Sequence, residues 1–313
     1  MMRLPPKQPP NRNMLKRLYI CADLEGVAGV VSPRQVFPSQ PADEVGYRQA
    51  VRQLQAELLA LMSGLNSACA ALGQAPPQMV VNDAHARMAN LSAEAEVFNL
   101  PNVTLISGKP KLPAMVATLD RSYDALVLMG CHAKAATPNA LLCHSFNDDV
   151  LNVSLNGVSL GEAGMNMAYA WLEHGVPTAL VVGDDATLAE VSALASPVLG
   201  VETKQALGWS AGVCRPVATV LAELHAMGET LAKGAAQENA LRFALHQPEL
   251  AKATTFTLSL TLIHPRLVDI LMSLPNALRV DGLTVELGSF PSVGLAYRTL
   301  QTAYSLLAYQ RTL

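Results

Sequence analysis

Charge is scarce in this chain. Asp, Glu, Lys and Arg make up 15% of its 313 residues, and 22 basic against 25 acidic side chains leave a net charge of −3. So even a balance provides no basic field of the kind that nucleic-acid binding requires. It also leaves a surface with little electrostatic repulsion, which suits burial between subunits. No apolar run approaches the roughly 20 residues that cross a bilayer, which argues against an integral membrane protein. The basic, Pro-rich start from Met1 to Lys16 lacks the apolar core of a secretory signal, and its first 13 residues read as a disordered tail. Cysteine is sparse as well. Cys21, Cys69, Cys131, Cys143 and Cys214 are odd in number, and no C-x-x-C pair occurs. That pattern argues against a disulfide framework and against a thiolate zinc module. Cys21 and Cys131, set in apolar runs, read as small buried hydrophobes, and a reducing cytoplasm fits this usage.

What the chain does have is apolar residues, 50% of the total, enough for a sizeable core in one large or two medium domains. The spacing predicts a strand at Arg17–Ala22 and a long helix from Asp43 to Leu72, with apolar residues at three- and four-residue steps. Gly73 and Pro76-Pro77 end it. Short strands follow at Met79–Val81, Val103–Ser107 and Asp124–Gly130. Asn156-Gly157 between Asn152–Leu155 and Val158–Leu160 signals a hairpin. A helix over Ala163–His174, stopped by Gly175, leads to a buried strand at Thr178–Val182. This alternation predicts an α/β fold with a mostly parallel central sheet and flanking helices, over residues 14–200. Beyond residue 200 the rhythm changes. A helix over Pro216–His246, strands at Thr255–Ile263 and Leu283–Leu287, and helices at His264–Leu274 and Pro291–Arg311 predict a smaller α+β unit over 201–313.

The polar residues gather where the predicted strands stop. Asp23 and Glu25 follow the first strand, Asn82, Asp83 and His85 the second. His132 follows DALVLMG, Asp184 and Asp185 follow ALVVG, and Glu162 opens a helix after the hairpin. In an open parallel sheet, sites form at the carboxyl ends of strands, so four strands deliver these groups to one edge. Oxygen and imidazole donors without thiolate suit Zn²⁺, Mn²⁺ or Mg²⁺. Crowded carboxylates are costly unless a cation neutralises them. Asp23, Glu25 and Glu162 with neutral His85 and His132 carry a formal −3. Two divalent ions and one bridging hydroxide close that count, as in a two-metal hydrolase; one ion with a spectator carboxylate is the other solution. Each residue alone has a plainer explanation. Asp184 and Asp185 read as a helix N-cap, Asp-x-Glu can be a turn, and His174, His225, His246 and His264 read as structural. The joint placement is the signal.

Six stretches carry a resemblance in order: Asp23-Leu24-Glu25-Gly26, Val81-Asn82-Asp83-Ala84-His85, Gly130-Cys131-His132-Ala133-Lys134, His144-Ser145, Gly161-Glu162-Ala163-Gly164 and Gly183-Asp184-Asp185, with a weaker Thr203-Lys204-Gln205. In these the chain resembles the D-aminopeptidase family of zinc metallopeptidases, the dipeptide-operon type. The resemblance implies two Zn²⁺ per subunit, held by Asp23, Glu25, His85, His132 and Glu162 with Asp23 bridging. It implies His144 as the catalytic histidine, described for the family as the nucleophile. It also implies short-peptide substrates and a ring-like homo-oligomer, with a decamer as its candidate form, whose sites face an interior channel. The interval from His132 to His144 is one residue longer than the family form, and Trp209 stands where a basic residue is common.

The expected activity is a cytoplasmic dinuclear zinc aminopeptidase that removes N-terminal, D-configured residues from short peptides. By its residues alone, His144 could act as a general base or attack the carbonyl itself. Two rivals use similar groups. A two-metal phosphoesterase would need cations for phosphate, for which Lys134 and Arg87 are the nearby candidates. A non-catalytic metal-containing protein would keep the fold, but the intact five-residue set and His144 speak against it.

Overall fold

The computed structural model describes residues 15–235 and 242–310. The expected tail over 1–13 lies outside them, as does part of the expected helix over 216–246. Apolar runs of β-branched and long aliphatic residues build a seven-stranded sheet. Its strands in chain order are β1 (Arg17–Ala22), β2 (Gln78–Asp83), β3 (Val103–Ile106), β4 (Ala125–Cys131), β7 (Thr178–Asp184), β9 (Leu199–Gly208) and β10 (Ala211–Cys214). Across the sheet they run β10-β9-β7-β4-β1-β2-β3. All neighbouring pairs are parallel except β9 and β10. Strands β4 and β7 are buried along their whole length, as a parallel sheet covered on both faces requires.

Alternation along β1 separates two cores. Leu18, Ile20 and Ala22 face a layer made by helices α2 (Glu44–Ala71) and α5 (Val217–Thr230). Tyr19 and Cys21 face the opposite layer. There a second sheet of five strands runs β13-β14-β12-β5-β6, pairing antiparallel throughout. It holds the hairpin β5–β6 (Val150–Leu155, Val158–Leu160), β12 (Phe256–Leu262), β13 (Leu278–Arg279) and β14 (Thr284–Phe290), and the C-terminal helix Val293–Gln310 packs on it. Asn156 and Gly157 both have positive φ, 52° and 79°, the backbone of the expected hairpin turn. The two sheets interleave along the chain. Strands β9 and β10, beyond residue 200, complete the first sheet, and the hairpin before residue 200 belongs to the second.

One expected helix is shorter in the structure. Among the described residues the chain from Pro216 is α-helical over α5, widens at Leu231–Ala235 where Gly234 has φ 105°, and by Ala244–Leu245 runs as the short strand β11 against β8 (Ala195–Ser196). A glycine with positive φ kinks a helix that Ala-rich composition alone would continue straight. All five cysteines are free, with Cys21, Cys69 and Cys131 buried. Among the described residues no helix is long and apolar enough to cross a membrane.

Candidate metal centre

The carboxyl ends of β1, β2 and β4, adjacent in the sheet, bring Asp23, Glu25, His85 and His132 together. Strand β1 stops at Ala22, and a turn in place of continuing strand aims both Asp23 and Glu25 inward. The turn lies against β4, with Asp23 N–H donating to Met129 O (2.8 Å) and Gly26 N–H to Gly130 O (2.7 Å). This close approach needs glycine. A Cβ at Gly26 would sit 2.0 Å from Cys131 O, and one at Gly130, where φ is +69°, 2.2 Å from Asp23 O.

His85 sits in a loop folded by the carboxylate of Asp83, which accepts from Asn90 N (2.5 Å) and Leu91 N (2.8 Å), while Asn90 Nδ2 donates to His85 O (2.8 Å). Asp83 therefore shapes the loop and leaves the cluster to His85. Glu162 begins α3 (Glu162–Ala168) after the β5–β6 hairpin. His144 rides on the loop between β4 and β5. Asp184 caps α4 (Asp185–Leu194) through Thr187 N (2.9 Å), as expected, and its second oxygen accepts from Leu141 N (2.9 Å) to fix that loop. Leu142 N–H donates to Trp209 O (2.8 Å). His174, His225, His246 and His264 stay away from the cluster; His264 caps the helix Pro265–Leu271.

Two overlapping triads result, Asp23–Glu25–His85 and Asp23–His132–Glu162, each with donor atoms within 4.8 Å of one another. A third such group joins Glu25, His132 and His144. His85 Nδ1 is 3.0 Å from Asp23 Oδ1 and 3.1 Å from Glu25 Oε2, the latter without an aligned hydrogen bond. His132 Nε2 is 3.8 Å from Asp23 Oδ2 and 3.6 Å from Glu162 Oε1. His144 Nε2 is 3.5 Å from Glu162 Oε1, and the His132 and His144 rings stack at 4.0 Å. The longer interval between these two histidines thus still brings them together.

Each imidazole has one nitrogen on a backbone carbonyl and the other toward the acids. His85 Nε2 meets Val36 O (2.9 Å) at the end of α1 (Pro33–Val36), His132 Nδ1 meets Ala133 O (2.9 Å) and His144 Nδ1 meets Leu142 O (2.9 Å). A carbonyl on one nitrogen sets the tautomer and frees the other for a cation or a proton. Both Glu25 oxygens and His132 Nε2 are buried without a hydrogen-bond partner. Such atoms are rare in native proteins unless they await a ligand or water. This donor set, three carboxylates and two imidazoles with fixed tautomers, fits a divalent cation of the zinc type.

Electrostatics point the same way. Burial, reinforced by the Glu25 charge alongside, pushes the Asp23 carboxyl up to about 7. Burial also opposes charge on Glu25, yet His85 and His132 hold it well below the usual carboxylate range. For His85 and His132 burial disfavours the cation, but Glu25 and Glu162 respectively outweigh it and both imidazoles are held well above their ordinary range. The acids thus demand positive charge at this spot. The cations a phosphate would need turn elsewhere. Lys134 Nζ is 3.4 Å from Ser159 O, and Arg87 is exposed to solvent.

Three features were not singled out in the sequence. Phe37 is 48% exposed with its ring 4.9 Å from that of His85 and 6.4 Å from that of His144. The Val36 carbonyl that orients His85 carries no side-chain signal at all. Buried Glu57 in α2 accepts from Ala28 N just beyond the Asp23–Glu25 turn, while Lys204, from the weaker stretch of the resemblance, donates to Glu25 O.

A family model described as D-aminopeptidase matches residues 16–302. A D-aminopeptidase of Bacillus subtilis (strain 168) is 30% identical over 198 residues, 63% of this chain and 67% of that protein. A solved structure, the Zn-dependent D-aminopeptidase DppA from Bacillus subtilis, described as a self-compartmentalizing protease, matches with a TM-score of 0.78. At 24% identity it covers 93% of this chain and 97% of its own, and that likeness establishes the shared fold. With the match spanning both sheets and every stretch of the resemblance, the chain belongs to the D-aminopeptidase family of peptidases.

Proposed function

We propose that this peptidase is a zinc aminopeptidase with two ions per chain, acting on short peptides that carry a D-residue at the N-terminus. Asp23, Glu25 and His85 would hold one ion and Asp23, His132 and Glu162 the other, the two triads having Asp23 in common. The observation that carries this reading is the pair of overlapping buried triads with Glu25 and His132 atoms left unpartnered. When bound, zinc supplies Lewis-acid polarisation of the scissile carbonyl and acidifies water.

The chain's own groups do the rest. With Nδ1–H donating to Leu142 O, His144 presents the Nε2 lone pair to the centre, the form that either proton abstraction or attack on carbon requires. Glu162 Oε1 accepts from Phe146 N (2.5 Å), which anchors its carboxylate beside the Nε2 atoms of both His132 and His144. The half-exposed Phe37 ring, against His85 and His144, gives the cluster an apolar neighbour. The ring-like assembly, with a decamer as its candidate form, and a cytoplasmic setting belong to the same proposal. They are supported by the self-compartmentalizing relative and by the free cysteines.

A panel of D- and L-aminoacyl amides, D-alanine amide first, tests the activity alongside a phosphomonoester. The reading expects turnover of D-aminoacyl amides that a chelator abolishes and zinc restores. Hydrolysis of the phosphomonoester in place of the amides would overturn it.

A further inference from the structure

Lys204 lies in β9, two strands away from β4 in the sheet, yet its side chain is completely buried. Its Nζ donates to three backbone carbonyls, Glu25 O at 2.6 Å, Val27 O at 2.8 Å and Val30 O at 2.5 Å. An ammonium has three N–H donors, so all are used on one stretch of chain. That stretch is the continuation of the Asp23-Leu24-Glu25 turn. The neighbouring Thr203 donates its hydroxyl to Gly26 O (2.7 Å), with Gly183 O at 3.1 Å. From the opposite side, in α2, Glu57 Oε1 accepts from Ala28 N (2.9 Å). Backbone groups along 25–30 are thus met by three side chains from two distant elements, with Val27 O also accepting from Val30 N (3.1 Å).

A buried lysine is expensive, because its charge leaves water. An apolar side chain could fill the same volume more cheaply. It could not meet three converging carbonyls, and the turn carrying two of the metal-facing carboxylates would relax outward to find partners. The close seat of Gly26 on Cys131 O shows how little room that turn has. We infer that Lys204 is a positioning residue for the metal centre, whose ammonium holds the backbone of the Asp23–Glu25 turn so that both carboxylates meet His85 and Asp23 also meets His132. This rests on the reading of the cluster as a zinc centre.

Lys204→Met, which keeps length and loses the donors, and Thr203→Val, which removes only the hydroxyl, test the role. Zinc affinity of the full-length protein is measured by competition with a chromogenic chelator, and kcat and KM are measured at saturating zinc. Leu258→Ala, in the core under the second sheet, serves as a control for general destabilisation. Lys204→Met is expected to bind zinc about 10- to 100-fold more weakly, with kcat reduced and KM near that of the parent. Thr203→Val is expected to weaken zinc by about 3- to 10-fold, and Leu258→Ala to lower the melting temperature while keeping zinc affinity within about twofold of the parent. Parental zinc affinity in Lys204→Met, or an equal loss in Leu258→Ala, would overturn the inference. Should Lys204→Met fail to fold, parental zinc affinity in Thr203→Val would overturn it instead. A parent that binds no zinc would sink the metal reading itself, which is a different result from a zinc-replete parent equalled by its variants.

Discussion

At the scale of single residues, the proposed centre separates the groups that would hold an ion from the one that would act on substrate. His144 shares the carboxylate of Glu162 with His132, but it is the most exposed of the three histidines, with 16% of its side chain open against 1% for His132. His144→Ala should therefore keep its zinc and its melting temperature and lose about 10²- to 10⁴-fold in kcat. Elemental analysis beside a rate assay reads both; zinc lost in step with rate would make His144 a ligand. Gly26→Ala should do the reverse. Its new methyl meets the Cys131 carbonyl at 2.0 Å, and relieving that overlap costs about 1–3 kcal/mol. Lowered thermal stability with weakened zinc binding is expected, and a variant as stable as the parent would refute the close packing. That Asp23, Glu25, His85 and His132 gather at one edge was legible in the sequence because apolar strands run into them, and Glu162 because it opens a helix after the hairpin. Lys204 was legible only as part of a weak stretch of the resemblance, and its role was not, because its burial exists only where the turn from β1 folds across β4 and β7 to reach it.

At the scale of elements, α2 carries a charge in the wrong place for a simple amphipathic helix. Glu57 is fully buried in its middle. Burial pushes its carboxyl up to about 7, against the opposing pull of Ala28 N–H, Gln53 and the Lys204 ammonium that faces it. An acid whose folded pKa is raised binds more protons folded than unfolded between its ordinary value of 4.5 and about 7. Its contribution to stability is complete below the lower value and is lost as pH rises through the upper one. Relative to Glu57→Gln, which titrates nowhere in this range, the parent should lose about 3 kcal/mol between pH 4 and pH 8. Parallel denaturation curves at pH 5 and pH 8 would contradict this. Local pattern also explains what was legible among the elements. The β5–β6 turn was readable from Asn156-Gly157, whereas its docking on β12, with Leu155 opposite Leu258, is a pairing between distant segments that no local period encodes. Strand β9 and the edge strand β10 escaped for the same reason, and the glycine kink after α5 was masked by helix-favouring composition.

At the scale of the whole molecule, the apolar surplus of the composition has a location. Leu207, Trp209 and Val213 on the β9–β10 edge hairpin are 67%, 52% and 55% exposed. Trp209 Nε1 also donates to Cys143 O (3.3 Å), beside His144. Exposed apolar residues on a sheet edge suit contact between subunits, and an assembly that encloses the centres would admit short peptides and exclude folded proteins. Light scattering should find an oligomer that cleaves di- and tripeptides and spares a folded protein. A monomer that digests folded protein would remove both expectations. All of this depends on the ions. The most direct measurement is the zinc-to-protein ratio of the purified chain beside that of His132→Ala, each with its rate on a D-aminoacyl amide. The account predicts about two zinc ions per parent chain, at most about one in His132→Ala, and no turnover by the variant. Parent protein that carries no metal and hydrolyses the amide at full rate would contradict it.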